Sequence, residues 1–449
     1  MNNGRSNGND LSFWRDEDAE VPKALEPKLT TVSPPYSTAT SRNDYSRSAA
    51  ASFTDEKPST YFHSRRKAKG DIEKPWLREK NHRQAWLTWF PIIGIILGIG
   101  CTGALVWDGL QQNKLPGYCQ ILDEDFSQGL RDSIWTKEAE VGGYGNGQFE
   151  ETTVTDENVF IENGMLVIKP TVQDEDLIYK NNVINLIEDK VCTAEGMPWD
   201  SCVTSTNTTN GTIVNPVKSG RVNSKKGATI RYGKIEVEAQ LPSGDWLWPA
   251  IWMLPVNNTY GPWPLSGEID ICESRGNNYT YIMGGDNIVS SALHWGPDFA
   301  NDAWWRTNSR KNALHSTFSD KFHTFGLVWT PDFLYTYIDT QLLQVLYTKF
   351  KEPLWQRGNF PLAMPNGTAY TDPWSKTGNP SAPFDQPFYL ILNVAVGGSN
   401  GWFTDGKNGK PWVNNSPNSR VTFWNDRDQW SKTWTEPEAV RPGRRVWVR

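Results

Sequence analysis

The chain has 449 residues, which is too long for one ordinary domain and leaves room for a large folded unit with additional segments. Its hydrophobic content is 37%, which suits a globular protein and excludes a protein with many membrane spans. The formal net charge is −6, so no nucleic-acid partner is expected.

Two segments precede the region that looks globular. Residues 1–84 are rich in Ser, Asn, Pro and charge, and such a composition buries too little apolar surface to fold, so we expect a disordered tail. Residues 85–107 carry no charged side chain and are long enough to cross a bilayer as a helix, with Trp86, Trp89 and Trp107 near the ends. Because this span lies too far from the N-terminus for a cleaved signal peptide, it is predicted to be a signal anchor.

The charges around the span predict its orientation. Eight Lys or Arg residues lie between Arg65 and Arg83, whereas one, Lys114, lies in residues 108–127. The positive-inside rule then predicts a cytoplasmic tail and a type II, single-pass protein whose C-terminal domain is lumenal or extracellular, in the secretory pathway or at the plasma membrane. The N-glycosylation triplets agree, because all of them follow the span: Asn207, Asn210, Asn257, Asn278, Asn366 and Asn414.

The rest of the chain reads as one all-β unit. After a predicted linker at residues 108–118, short apolar or alternating runs recur through 119–449, separated by Gly, Pro, Asn and Asp. Many short strands in one unit imply a sandwich or barrel. Residues 171–218 are polar with few strand signals and are predicted to form a surface insertion. Cys192 and Cys202, within that insertion, are the predicted disulfide pair.

One strand-like run, GEIDICES, concentrates acidic side chains. On a regular strand Glu268 and Asp270 share a face while Glu273 points away, and one extra residue, a β-bulge, would bring Glu273 back. Three carboxylates on one face repel, which keeps one of them protonated, and a retaining glycosidase needs such a pair of one acid and one carboxylate. From this pattern alone a solvated acidic face and a metal site also stay open.

The surrounding sequence carries a family resemblance. WLWPAIWMLPVNNTYGPWPLSGEIDICESRGNN strongly resembles glycoside hydrolase family 16, in its laminarinase-like branch with a bulged ExDxxE motif. The resemblance extends from about Cys119 to Trp430, with SALHWG and FYLILNVAVGG in the order of the family. It implies a concanavalin A-like β-jelly-roll sandwich and a double-displacement mechanism. Glu268 would be the nucleophile, Glu273 the general acid/base, and Asp270 a carboxylate that tunes the nucleophile.

The same resemblance implies further site residues. The substrate-binding candidates are Asn146, Arg221, Trp248, Trp252 and His294, with a structural role left open for Trp252 and His294. For Asn393, structural support is the better interpretation. No cofactor is implied for catalysis. A structural Ca2+ is implied for many members, and Glu124 is the candidate first ligand. The chain end, EPEAVRPGRRVWVR, resembles the closing strand of the family poorly, so that strand is expected to be altered or missing.

Three functions fit these features. The first is a β-1,3-glucan (or mixed β-glucan) hydrolase, and the second is a transglycosylase that remodels cell-wall glucan. The tail, span and lumenal domain resemble fungal membrane proteins of β-1,6-glucan assembly, which favours the second. The third is a glucan-binding protein, because GDWLWPAIWMLP and SGEIDICESRGN resemble arthropod β-1,3-glucan recognition proteins. Inactive forms of those proteins lose the glutamates, so the presence of Glu268, Asp270 and Glu273 favours activity.

Overall fold

The computed structural model of the chain describes residues 70, 72–75, 82–112, 117–180 and 182–434, together with the backbone of 445–448. The described residues divide into two units at the boundary between Leu105 and Val106. Most of the predicted disordered tail, 1–84, lies outside the described residues, as does part of the predicted linker.

A single long helix, α1 (His82–Gln112), contains the predicted span. Its segment Ala85–Leu110 is long and apolar enough to cross a membrane. The helix begins three residues before the predicted span and continues five residues beyond its predicted end at 107. Polar residues such as Gln111 and Gln112 are good helix formers, so the end of the apolar run does not end the helix.

The remaining elements are short. In chain order the strands are β1 (Leu122–Glu124), β2 (Thr136–Lys137), β3 (Glu150–Thr152), β4 (Val159–Glu162), β5 (Met165–Ile168), β6 (Thr171–Val172), β7 (Val183–Asn185), β8 (Val203–Ser205), β9 (Val217–Ser219), β10 (Arg221–Asn223), β11 (Thr229–Ile230), β12 (Gly233–Ala239), β13 (Leu247–Pro255), β14 (Glu268–Ser274), β15 (Ile288–His294), β16 (Asn308–Asn312), β17 (His323–Trp329), β18 (Phe333–Ile338), β19 (Gln344–Lys349), β20 (Phe388–Val396) and β21 (Arg445–Val448). The short helices are α2 (Glu175–Tyr179), α3 (Trp199–Cys202), α4 (Leu354–Gly358), α5 (Ser419–Asn425) and α6 (Arg427–Trp430). Single 3-10 turns form at Gly143–Gly145, Phe299–Asn301, Trp304–Arg306, Ser375–Thr377 and Ser431–Trp434.

Two antiparallel sheets make up the body of the second unit. One has six strands in the order β1-β21-β12-β17-β18-β19, and the other has eight, in the order β16-β15-β14-β13-β20-β10-β2, with β11 paired to β20. Alternating residues of each sheet face a shared apolar core, as in Gly233–Ala239 of β12, where every second residue is buried. The prediction of an all-β sandwich is confirmed.

Aromatic side chains fill much of this core. Among the described residues, seven tryptophans of this core are at most 2% exposed: Trp135, Trp246, Trp295, Trp329, Trp374, Trp412 and Trp430. Edge-to-face contacts connect several of them, for example Trp246 with Trp412 at 5.2 Å between ring centroids. The high tryptophan content of the chain therefore serves packing to a large extent, while other rings of the domain, such as Trp263 and Trp402, stay partly exposed.

The chain end forms a closing strand, so of the two expected outcomes, an altered or a missing strand, the second is wrong. The backbone of β21 lies between β1 and β12, with Leu122 opposite Val448 and Val237 opposite Val446. Pairing of this kind uses backbone N–H and C=O groups, so a divergent sequence can complete the sheet as long as it stays extended.

The predicted insertion, 171–218, has structure of its own. Its two ends are β6 and β9, which join β3 in a three-stranded sheet, and β7 pairs with β8 in its middle. A small apolar cluster beneath it includes Ile178, Leu186 and Trp424, separate from the main core. Cys192 and Cys202 are joined in a disulfide with a Cα–Cα distance of 5.8 Å, which closes the loop above this cluster.

We expect the disulfide to stabilise the insertion, because it restricts the unfolded conformations of the loop between Cys192 and Cys202, which packs on only a small apolar cluster. Replacing both Cys192 and Cys202 by Ser should lower the free energy of unfolding of this region by about 2–3 kcal/mol. Hydrogen exchange of residues 183–205 is the measurement, with Cys119→Ser, at an exposed free thiol, as the control. Exchange that is equally slow in the double variant and the wild type would contradict this expectation.

Candidate active site

A β-bulge in β14 sets the direction of its carboxylates. Asp270 lies opposite Ala292 of β15 and Glu273 opposite Ser290, so three steps along β14 match two along β15. The extra residue returns Glu273 to the face that carries Glu268 and Asp270. Towards the core the same strand buries Ile269, Ile271 and Cys272, each at most 1% exposed.

Two tryptophans from different segments hold the outer glutamates. Trp263, in the loop before β14, donates its indole N–H to Glu268 Oε2 at 2.8 Å. Trp248, at the start of β13, donates its indole N–H to Glu273 Oε1 at 2.9 Å. Each carboxylate is half-buried and so loses water, and each indole replaces part of that hydration while fixing the side chain in one orientation.

His294 lies between two carboxylates, those of Asp270 and Asp302. Its Nε2 lies 3.2 Å from Asp270 Oδ2, and its Nδ1 lies 2.5 Å from Asp302 Oδ2. The other oxygen of Asp302 accepts the backbone N–H of Trp295 at 3.1 Å. Asp270 itself is only 2% exposed. A partly buried imidazole between two carboxylates is stabilised as the imidazolium, which places one positive charge among the acids.

Burial and like charge perturb the titration of this cluster. Burial, together with the Asp270 carboxylate, raises the pKa of Glu268 well above its usual range and that of Glu273 to about 8. Burial opposes a charge on His294, but its bonds to Asp270 and Asp302 outweigh that cost and raise its pKa well above the usual value. The glutamate pair therefore retains a proton at neutral pH, beside a charged His294.

A metal is a poor fit to this cluster. Glu268, Asp270 and His294 each offer an atom within 4.8 Å of the others, a spacing that could hold an ion. Both ring nitrogens of His294, however, face carboxylates, and an imidazolium has no lone pair to give. The chemistry that the arrangement supports is proton transfer and nucleophilic attack by carboxylates.

A second polar group lies on the same face, around Arg221 of β10, with β13 and β20 between it and β14. The Arg221 guanidinium is paired with Glu138 at 2.8 Å and lies 4.0 Å from the ring centroid of Tyr144 and 4.8 Å from that of Trp252. The indole N–H of Trp252 donates to Asn393 Oδ1 at 2.7 Å. Asn393 thus supports Trp252, in agreement with the structural role favoured for it.

Beyond Glu273, an aromatic stack continues the surface. The ring of Trp402 is parallel to that of Trp248 at 4.7 Å, and the Arg275 guanidinium lies 3.9 Å from the Trp402 centroid. Asn146 is tied to the same loop, because its side-chain oxygen accepts the Asn400 amide at 3.1 Å. The structure therefore places Asn146 at the Glu273 end of the site, through the loop that carries Trp402.

The structure brings the candidates together in two groups. Trp248 and His294 contact the acidic cluster directly, while Arg221 and Trp252 form the neighbouring group and Asn146 lies on the flanking loop. Sequence reasoning missed several contacting residues, among them Glu138, Trp263, Asp302 and Trp402. Trp263 could have been found from the sequence, because it stands between two prolines only five residues before Glu268. Asp302 and Trp402 gave no such signal, since their role depends on loops folding back.

The residues around Glu124 do not fit a calcium ion. Glu124 Oε2 accepts bonds from the Arg131 guanidinium at 2.9 Å and from the Trp135 indole at 3.2 Å, and its Oε1 accepts the Phe126 backbone N–H at 3.1 Å. These neighbours are donors and one is a cation, whereas Ca2+ requires several oxygen ligands. No role for a metal is therefore derived from Glu124.

The glycosylation candidates differ in accessibility. The side chains of Asn207, Asn210, Asn257, Asn278 and Asn366 are exposed. Asn414 is half-buried: its amide N–H donates to the Phe403 carbonyl at 3.2 Å and its oxygen accepts the Lys410 ammonium at 2.6 Å. The folded domain thus leaves the first five available to an attached glycan and uses the amide of Asn414 internally.

Comparison with known proteins places the chain in a family. The model of glycosyl hydrolases family 16 matches residues 169–380. A β-1,3-glucan-binding protein of Penaeus monodon is 38% identical over 348 residues, which cover 75% of this chain and 90% of the shrimp protein. Gram-negative bacteria-binding protein 1 of Drosophila melanogaster is 29% identical, over 71% of this chain and 62% of the fly protein.

Enzymes are also among the similar proteins. Glucan endo-1,3-beta-glucosidase A1 of Niallia circulans is 30% identical over 57% of this chain and 29% of that protein. The solved laminarinase of Rhodothermus marinus superposes with a TM-score of 0.46 at 24% identity, over 75% of this chain and 98% of that one. On the extent and identity of the shrimp match and the family model, this chain belongs to glycosyl hydrolases family 16.

Proposed function

We propose that this protein is a retaining endo-β-glucan hydrolase or transglycosylase that acts on β-1,3-glucan, with Glu268 as nucleophile and Glu273 as general acid/base. One observation carries the proposal. The bulge in β14 puts Glu268 and Glu273 on one face, and an indole N–H orients each of them. A pair of carboxyl groups fixed on either side of a bond is the catalytic requirement of retaining glycosidases.

In the first step Glu268 attacks the anomeric carbon and the bond to the leaving oxygen breaks, while Glu273 gives its proton to that oxygen. The product is a covalent glycosyl-enzyme and a free sugar hydroxyl. In the second step Glu273 takes a proton from water, which attacks the anomeric carbon and releases Glu268. If a sugar hydroxyl takes the place of water, the outcome is transglycosylation.

The neighbouring charges suit the acid role of Glu273, because a raised pKa of about 8 lets it hold its proton at neutral pH. Glu268 must be ionised to attack, whereas burial and the Asp270 carboxylate raise its pKa well above the usual range. The His294 charge and the Trp263 N–H lower the pKa of Glu268 and so oppose these two effects. Asp302 fixes the ring of His294, and so acts through it rather than on the sugar.

Glucan binding without turnover is the second candidate. It is favoured by the name of the shrimp relative, a β-1,3-glucan-binding protein, of which this chain covers 90%. Binding needs shape and stacking but no matched pair of acid and nucleophile. The buried acidic cluster, with its opposing charge and two indole donors, is costly to maintain for recognition alone, which supports the catalytic proposal.

We further propose that α1 anchors the protein in a membrane with the β domain on the lumenal or extracellular side. The proposal rests on the length and apolar character of Ala85–Leu110 and on the basic residues that precede it. An anchored enzyme acts on glucan close to the membrane, which suits wall assembly or editing more than digestion of distant polymer.

The test of activity uses laminarin oligosaccharides and the full chain in mild detergent. We expect shorter products if water is the acceptor and additional longer products if sugar is. Glu268→Gln should abolish turnover, and Glu273→Gln should lower it by at least about a hundredfold, because general acid catalysis contributes that much. Chromatography of the products is the measurement.

The matched control for these variants is Glu352→Gln, at an exposed glutamate outside the eight-stranded sheet, which should retain full activity. Laminarin that binds but is never cleaved, with the same affinity in Glu268→Gln, would establish the binding candidate and refute the catalytic one.

The pH dependence of kcat/KM should have an alkaline limit set by Glu273. Its pKa is raised to about 8, so the proton needed by the leaving oxygen is present below that pH and is lost above it. We expect kcat/KM to fall about tenfold per pH unit on the alkaline side. A rate that stays constant to pH 10 (roughly the limit of a folded-state assay) would contradict the assignment of Glu273 as the acid.

The charge on His294 should depend on Asp302. Asp302→Asn removes one of the two carboxylates that stabilise the imidazolium, so the pKa of His294 should fall. NMR titration of the imidazoles measures it, and the sequence contains five histidines. The wild type, titrated in the same way, is the control. An unaltered His294 titration would mean that Asp302 has no electrostatic role.

A further inference from the structure

The ring of Trp402 is covered on both faces. The parallel ring of Trp248 lies 4.7 Å from it, and the Arg275 guanidinium lies 3.9 Å from the Trp402 ring centroid. Two flat groups at such distances cannot share one face, so Trp248 covers one side of the indole and Arg275 covers the other. Trp402 therefore connects Trp248 with Arg275 and offers no face on which a sugar could stack.

Arg275 also holds the backbone of Trp402. Its Nε and Nη2 donate to the Trp402 carbonyl at 3.1 and 2.8 Å. The Asn400 side-chain oxygen accepts the Trp402 backbone N–H at 3.1 Å. A guanidinium is planar and rigid, so it fixes both the carbonyl and the ring of Trp402, which a flexible ammonium cannot do.

The position of Arg275 follows from the strand that carries the acids. Residues two apart on an extended segment point to the same side, so Arg275, which directly follows β14, lies on the face of Glu273. The Trp248 indole donates to Glu273 Oε1 at 2.9 Å. One series of contacts thus runs from Arg275 through Trp402 and Trp248 to Glu273, and both of its ends belong to the same short segment.

Glu273 is surrounded by groups of both signs, from its own strand and from the strands beside it. Burial and the Asp270 carboxylate raise the pKa of Glu273 to about 8. His294 of β15, the Trp248 N–H of β13 and the Arg275 charge lower that pKa against these two effects. Arg275 therefore acts on the acid through charge as well as through contact.

The guanidinium of Arg275 stays charged at neutral pH. Burial lowers its pKa to about 10, and the Arg310 charge of β16 acts in the same direction, while Tyr281 and Glu273 oppose both. Because a positive charge favours the carboxylate form of Glu273, Arg275 offsets part of the effect of burial on that acid.

We propose that Arg275 is a positioning residue for the general acid/base Glu273 and acts on it through Trp402 and Trp248, without contact with the sugar. This inference rests on the proposed function and extends it. The stack keeps the Trp248 N–H aimed at Glu273, so the acid is held beside the leaving oxygen. A displacement of about 1 Å at such a group is enough to slow a reaction about a hundredfold.

The first test measures kcat and KM for laminarin oligosaccharides in the wild type, Arg275→Lys and Arg275→Met, with the full chain in detergent. Neither variant can hold Trp402 rigidly, so both should lose kcat about tenfold with KM unchanged. The alkaline limit of kcat/KM should move to higher pH in Arg275→Met, which lacks the charge, and stay in place in Arg275→Lys. A residue that only supports the fold would not separate the two variants in this way.

The second test combines these variants with Trp248→Phe, which keeps a ring but removes the N–H that reaches Glu273. If Arg275 acts through that N–H, Arg275→Lys should lower kcat by less than about twofold in the Trp248→Phe background. Losses that multiply in the double variant would overturn the proposal.

The matched control is Arg231→Met, at an exposed arginine in the turn between β11 and β12, which should keep the kcat and the alkaline limit of the wild type. Circular dichroism checks the folding of each variant. If Arg275→Met does not fold, Arg275→Lys, which keeps the charge, still gives the loss of kcat and the double-variant result. A rise in KM with unchanged kcat would mean that Arg275 binds the sugar, and the proposal would be wrong.

The proposed function can fail separately. If the wild type cleaves no glucan, that function is refuted, and NMR titration of the Glu273 carboxyl in the wild type and Arg275→Met then decides on Arg275. Loss of the charge and of the held indole should raise the pKa of Glu273. An unchanged titration of Glu273 would show that Arg275 does not act on it.

Discussion

Three carboxylates crowded on one face of β14 are the constraint on which the site depends. Left uncompensated, their mutual repulsion and desolvation would destabilise the strand at the centre of the eight-stranded sheet. The fold answers with contacts from separate segments: an indole from β13, an indole from the loop before β14, and an imidazolium from β15. Each of these groups donates a hydrogen bond to one acid and so offsets part of the repulsion among the carboxylates. The repulsion that remains helps Glu273 to retain its proton.

The compensation depends on the sandwich behind it. Ile269, Ile271 and Cys272 anchor β14 in the core, and Thr336 of the six-stranded sheet donates its hydroxyl to Ser291 of β15 at 2.8 Å across the interior. This packing fixes the backbone of β14 and β15, so the carboxylates cannot move apart to relieve their repulsion. A rigid sandwich and a strained acidic face are therefore two aspects of one arrangement.

The relatives of the chain include proteins named for binding glucan and proteins named for cleaving it. Both activities can use one cleft, because stacking on aromatic rings and hydrogen bonds to hydroxyls serve recognition and catalysis alike. What separates them is the chemistry of the acids. Here all three are present, with their donors and with a charged His294 beside them. The distinction between hydrolysis and transfer depends on whether water or a sugar occupies the acceptor side of the site.

The sequence by itself determined the long apolar helix, the all-β class, the family and the three acids of β14, because each leaves a local pattern: an uncharged run, alternating short strands, and GEIDICES. It also located the bulge, since the spacing of Glu268 and Glu273 is wrong for a regular strand. Tertiary structure alone decided which side chains form hydrogen bonds and ion pairs with those acids. Asp302 reaches His294 only because its loop folds back, Trp402 meets Trp248 from a distant segment, and β21 completes its sheet through backbone bonds that no side-chain pattern encodes. Contacts between residues far apart in the chain have no local signature, which is the physical reason that the acids could be read from the sequence and their partners could not.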